Sequence, residues 1–146
     1  LRVGSSAAAA YIIESARREF GDDAARRVSE RLQRNGGDPT GERVAAVDCL
    51  GNVHPTQFWQ GYSLGNVRDR PFSDIWEDED NPLLRAVRNR PGNLTGKCAD
   101  CRYKEVCRGG SRLRALAADN GLFGPDPQCY LESEERRGSV PTANAD

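Results

Sequence analysis

The sequence has no methionine, a single histidine (His54) and two tryptophans in 146 residues. A chain that opens at Leu1 without a methionine shows no translation start, so it reads as a piece of a longer protein. Aromatic residues make up 7% and the hydrophobic class 37%, against 29% charged, which is little apolar material for a self-sufficient core. Net charge is nearly absent too: 21 basic and 22 acidic residues leave −1, which argues against a general nucleic-acid binder. The longest apolar stretch, Ala7 to Ile13 broken only by Tyr11, is far too short to span a bilayer. No secretory leader pattern opens the chain. We therefore expect a cytoplasmic chain with neither a nucleic-acid nor a membrane partner. Missing as well are a nucleophile elbow, a P-loop, a Gly-rich dinucleotide fingerprint and any evident catalytic partner for His54.

Five cysteines are present, an odd number that rules out a fully paired disulfide framework. Four of them, Cys98, Cys101, Cys107 and Cys129, form C-x2-C-x5-C followed by a gap of 21 residues and a last C. A CxxC sets two thiolates on one tight turn, a third comes from the next turn, and the fourth from a segment that folds back. Four thiolates around one centre suit a 4Fe–4S cluster or a structural zinc ion. Zinc sites more often show two CxxC knuckles, so the spacing leans toward iron–sulfur, with a structural zinc-binding interaction module as the alternative. Lys97, Arg102, Lys104 and Arg108 bracket the ligands, and amides near Gly109-Gly110 could help offset thiolate charge. A solvated loop would carry the same cations. A bound centre would also supply stability that the apolar core lacks.

Along the chain, Ala7–Phe20 reads as a helix stopped by Gly21, and Ala24 to about Arg34 as a second, giving a helical hairpin. Asn35–Gly41 reads as a loop. Arg43–Asp48 and Val53-His54 read as strands around a Leu50-Gly51-Asn52 turn, with another extended piece around Gly65-Asn66. Phe72–Trp76, Pro82–Asn89 and Ser111–Asp119 read as short helices, and Arg90–Gly96 as a loop. The fold class is thus α+β: a helical hairpin, a short β-hairpin, then a loop-rich segment with short helices. Phe58, Trp59, Tyr62 and Trp76 are expected mostly in the core, with Trp59 or Tyr62 a possible stacking platform for a flat substrate. His54 could ligate iron or make an ordinary hydrogen bond at a strand end.

Three stretches resemble the C-terminal SPASM region of radical S-adenosylmethionine enzymes: 53–76 (VHPTQFWQGYSLGNVRDRPFSDIW), 98–111 (CADCRYKEVCRGGS) and 126–130 (DPQCY). The wording is most similar to the haem-biosynthesis branch, whose members act on sirohaem-derived tetrapyrroles. The resemblance implies that Cys98, Cys101, Cys107 and Cys129 ligate one auxiliary 4Fe–4S cluster. It also marks departures. Ser111 stands where the family pattern has a cysteine, and Pro55-Thr56 where it has Pro-Cys, so a second four-thiolate cluster is not supported. Cys49, the thiol that would match that second site, is expected to be a small buried hydrophobe.

The C-x3-C-x2-C radical site is absent. S-adenosylmethionine and its own 4Fe–4S cluster would then belong to a catalytic barrel upstream, in the same polypeptide or a separate one. On this reading residues 1–41 are the junction from that barrel, 42–131 the auxiliary-cluster domain, and 132–146 a disordered tail. Implied partners are a tetrapyrrole, or a peptide as the second choice, and an electron donor such as ferredoxin or flavodoxin.

Overall fold

Alanine-rich, helix-favouring sequence makes the first two elements. Helix α1 spans Ala8–Phe20 and α2 spans Asp22–Asn35, joined at Gly21, whose φ of +83° closes the turn. The computed structural model describes residues 8–35 and 37–138. Ala7 and residues 139–146, parts of the expected first helix and tail, lie outside them. Asp22 and Asp23 occupy the first turn of α2, where carboxylates complement the helix dipole. Ala9, Ala10 and Ile13 of α1 and Ala25 of α2 are buried together with Cys101, Tyr103, Val106 and Leu131. Alanine's small side chain lets the two helices approach each other and the cysteine-bearing segment closely.

The described residues gather into two compact units. One comprises residues up to Asp38 together with those from Pro91 onward; the other is Pro39–Arg90. The helical hairpin therefore shares a unit with the cysteines, a different partition from the division at 41/42 read from the sequence. Shared burial, invisible to a scan along the chain, is the reason.

In the first unit, after a 3-10 turn at Gly96–Cys98, come α6 (Lys104–Cys107) and α7 (Arg112–Ala117), with α8 at Ser133–Arg137. Ser111 caps α7, its Oγ accepting from the Arg114 N–H at 3.4 Å. The tail expected to lack structure from residue 132 instead begins with α8. Glu132 and Glu135 form a reciprocal capping box there that offsets the segment's polarity.

The second unit holds β1 (Ala46–Val47), β2 (Asn52–His54) and β3 (Gly65–Asn66), antiparallel in that order, with Val53 opposite both Val47 and Gly65. Helices α3 (Phe72–Trp76) and α4 (Pro82–Arg88) follow; the one-turn α5 (Arg90–Asn93), where a plain loop was expected, starts at this unit's last residue and continues into residues of the first. Asn81 caps α4 by accepting from the N–H groups of Leu83 (3.0 Å) and Leu84 (3.1 Å). Val53, Leu64, Ile75, Leu84 and Val87 are buried. Among the described residues, helices and a three-stranded antiparallel sheet thus make the α+β fold expected from the sequence.

Three local expectations need correction. The strand read over 43–48 is confined to Ala46–Val47: the N–H groups of Glu42, Arg43 and Val44 all donate to the Pro39 carbonyl in a turn before it, and after it the Asp48 carboxylate turns the chain by accepting from the N–H groups of Leu50 and Asn52, both at 2.9 Å. Cys49, expected to be buried, is exposed at the corner of that turn. Phe58, expected in the core, is 77% exposed.

Candidate metal centre

Cys98 and Cys101 occupy one tight turn, in which the Cys98 N–H donates to the Thr95 carbonyl and the Cys101 N–H to the Cys98 carbonyl. Cys107 ends α6. After it the chain runs through three left-handed residues, Arg108, Gly109 and Gly110, at φ of 54°, 79° and 78°. Cys129 arrives on the segment after α7, its N–H donating to the Asp126 carbonyl at 3.0 Å. All four cysteines line a single cavity. Its walls are completed by apolar Ala10, Leu94 and Leu131, by Gly109 and Gly110, and by Lys97, Lys104, Asp126 and Arg136.

Three of the sulfurs receive backbone hydrogen bonds: Cys98 from Asp126, Cys101 from Tyr103, and Cys107 from Gly109. Such donors favour a thiolate and are a recurrent device around cluster sulfurs. Burial works against them. It pushes the Cys98 and Cys101 thiols above their ordinary value and Cys107 up to about 12, and the other cysteines' charges add to the rise. Cys129 is among the charges acting on each of the three. Without a cation the three titrate as neutral thiols, so a metal centre must displace their protons to be bound.

Four soft sulfur donors suit iron–sulfur or zinc by their chemistry. A zinc ion would draw its thiolates to within about 3.8 Å of one another, from a Zn–S bond of about 2.3 Å. Among the described residues no three His, Cys, Asp or Glu side chains are grouped to hold one metal ion. The four sulfurs line one cavity, a first sign of fit to a sulfur-ligated centre. Arg136 adds a second sign of fit: its Nε is buried with no acceptor among the described residues, and a cluster sulfur is such an acceptor.

The surroundings show what the sequence reading missed. Asp126 is buried and accepts from the N–H groups of Ser111 (2.8 Å) and Gln128 (3.0 Å) and from Arg114 at 3.0 and 2.6 Å. Burial alone would raise its carboxyl, but these donors hold it below the usual range. Asp126 thereby ties the loop before α7 to the segment carrying Cys129. Lys97 Nζ donates to the Cys129 carbonyl at 3.0 Å, linking the first ligand's turn to the last ligand. Of the four flanking cations noted in the sequence, Lys97 and Lys104 line the cavity. Arg102 instead donates to Glu14 at 3.1 Å and to the Tyr103 hydroxyl, which itself donates to Glu14. No sequence signal marked Arg136, because the polar composition of its segment concealed a helix.

His54 and Cys49 lie in the other unit. His54 Nδ1 sits 2.8 Å from the Tyr62 carbonyl and Nε2 3.1 Å from Asp48 Oδ2. The Tyr62 carbonyl, then the Asp48 carboxylate, raise the His54 pKa, while Asn52 and His54 hold Asp48 well below the usual carboxylate range. Both ring nitrogens of His54 face an oxygen, so neither is open to a metal as the ring stands here. Trp59 and Tyr62 pair at 5.9 Å between ring centroids and are half-buried, not core.

Comparison with known proteins bears on this site directly. Residues 39–102 match the SPASM family, an iron–sulfur cluster-binding domain. The chain is 36% identical over 131 residues to the pre-heme d1 synthase of Dinoroseobacter shibae, covering 90% of this chain and 32% of that protein. It is 41% identical over 111 residues to the Fe-coproporphyrin III synthase of Methanosarcina barkeri, covering 74% and 28%. It is also 32% identical over 92 residues to a mycofactocin maturase of Mycobacterium ulcerans, covering 61% and 24%. No solved structure gives a significant match. The chain thus spans about a third or less of the length of these relatives.

The class is that of iron–sulfur cluster-binding domains, and residues 39–102 carry the match to the SPASM family. Within it, the chain is similar to the radical S-adenosylmethionine enzymes of haem biosynthesis. Among the described residues no helix is long and apolar enough to cross a membrane.

Proposed function

We propose that Cys98, Cys101, Cys107 and Cys129 hold one 4Fe–4S cluster, auxiliary to the radical centre of a haem-biosynthesis enzyme. The observation that carries the reading is the shared cavity: all four thiols line it, three with backbone donors on sulfur. When bound, the cluster would supply one-electron chemistry or a seat for substrate. The chain's own residues hold the four sulfurs, screen them with the apolar wall of Ala10, Leu94 and Leu131, and place Lys97, Lys104 and Arg136 around the charge. The parent protein would carry S-adenosylmethionine and a second 4Fe–4S cluster in a catalytic barrel, and would work in the cytoplasm. It would act on a tetrapyrrole, with electrons from a ferredoxin or flavodoxin. The similarity to mycofactocin maturase supports a second reading, in which the parent modifies a ribosomally made peptide.

The test is anaerobic reconstitution of the chain with iron and sulfide, followed by an absorption spectrum. A broad charge-transfer band should form, disappear in Cys101→Ala, and persist in Cys49→Ala. A colourless protein holding zinc, or loss of the band in Cys49→Ala, contradicts the ligand assignment.

A further inference from the structure

Arg112 is completely buried, and its guanidinium donates to backbone carbonyls: Gly110 at 3.3 Å, Leu122 and Gly124 at 2.9 Å each, and Gly109. Its backbone N–H donates to Asp38 Oδ2 at 3.2 Å, and the Asp126 and Asp38 carboxylates act on its charge alongside the cysteines. Burying a guanidinium is costly, and carbonyl dipoles satisfy its hydrogens without cancelling its charge. Two of those carbonyls belong to Gly109 and Gly110, which line the cysteine cavity, and the Gly109 N–H donates to Cys107. Arg136 reaches the same cavity from α8, with its Nη1 on the Lys97 carbonyl at 3.0 Å and its buried Nε without an acceptor.

We propose that Arg112 and Arg136 are the counter-cations of the four-thiolate centre and set its reduction potential, Arg112 from behind the Gly109-Gly110 wall and Arg136 from the cavity itself. The proposal rests on the cluster reading above. Charge on Cys98 and Cys107 acts on Arg112, and Arg136 acts on Cys101, so the two cations address different ligands. Reduction adds one electron, and hence one negative charge, to a site that already carries thiolates. A fixed buried cation stabilises the reduced form more than the oxidised one and shifts the couple upward.

The experiment is an EPR-monitored redox titration of the reconstituted chain, with dithionite as the one-electron donor and iron counted in every variant. Arg112→Gln should shift the reduction equilibrium about tenfold toward the oxidised form, a fall of about 59 mV for a one-electron couple. Arg112→Lys should stay near the parent value, and Arg136→Gln should shift the same way by less. A purely structural role would lower the thermal midpoint of both Arg112 variants and leave the potential unmoved. Full iron content with unchanged potentials in Arg112→Gln and Arg136→Gln overturns the proposal. If Arg112→Gln does not hold its fold, Arg136→Gln decides the matter. If the parent chain binds no iron, or Cys101→Ala keeps its cluster, the ligand reading has failed, an outcome distinct from unmoved potentials.

Discussion

At Gly109 the backbone adopts φ +79°, with Leu94 and the Arg112 guanidinium directly against it; a Cβ would stand 2.8 Å from Arg112 Nη2. Gly109→Ala must strain the backbone and displace both neighbours. Stability to urea should fall by roughly 1–3 kcal/mol, with loss of bound iron. Parental stability with full iron would show that the wall tolerates a side chain. Tyr103 makes a separable prediction. It is almost fully buried, and its hydroxyl lies between Arg102 and Glu14. Burial alone would raise the Glu14 carboxyl, but Tyr103 and Arg17 hold it below the usual range. Tyr103→Phe should therefore cost about 1–3 kcal/mol in denaturant titration while leaving iron content unchanged, because the ring stays in place. The four cysteines were legible in the sequence because ligands on successive turns impose a spacing. Arg112 and Arg136 were not, since the carbonyls they donate to are ones that only the folded chain brings near.

Among the elements, the β1–β2 turn responds to pH from both sides. His54 carries a raised pKa and Asp48 a lowered one, so their signs differ. The His54 contribution is fully present below its unfolded value of about 6.5 and is lost as pH rises through the raised folded value. The Asp48 contribution is present above about 3.8 and is lost as pH falls through the lowered folded value. Both act together between about pH 4 and 6.5, so the hairpin should be most stable there. NMR of its amide exchange across pH should show that maximum, and His54→Gln should flatten the alkaline side. An unchanged alkaline side in His54→Gln would show that the ring does not carry the effect. The helical hairpin, Pro82 at the start of α4 and Ser111 before α7 were all legible, because capping and helical periodicity are local. The strands and α8 were less so. A turn on the Pro39 carbonyl delays β1 and the Asp48 side chain ends it, and the Glu132–Glu135 capping box stabilises a segment whose composition resembles disorder.

For the whole molecule, the apolar residues around the cysteines come from α1, α2 and the segment after α7, so the metal centre and the helical hairpin share one core. Loading the centre should therefore raise amide protection mainly in 8–35 and 91–138. Stripping it with a chelator should lower the thermal midpoint by more than about 5 °C. Equal protection in loaded and stripped chains would separate the centre from the core. The two-unit partition was not legible from sequence because chain order separates what burial joins. The account depends most on the species bound by the four cysteines. Native mass spectrometry of the anaerobically reconstituted chain, with iron and sulfide assayed on the same sample, measures it directly. The account predicts about four irons and four sulfides per chain, absent from Cys101→Ala; a single zinc ion without sulfide, or the same iron in both proteins, would contradict it.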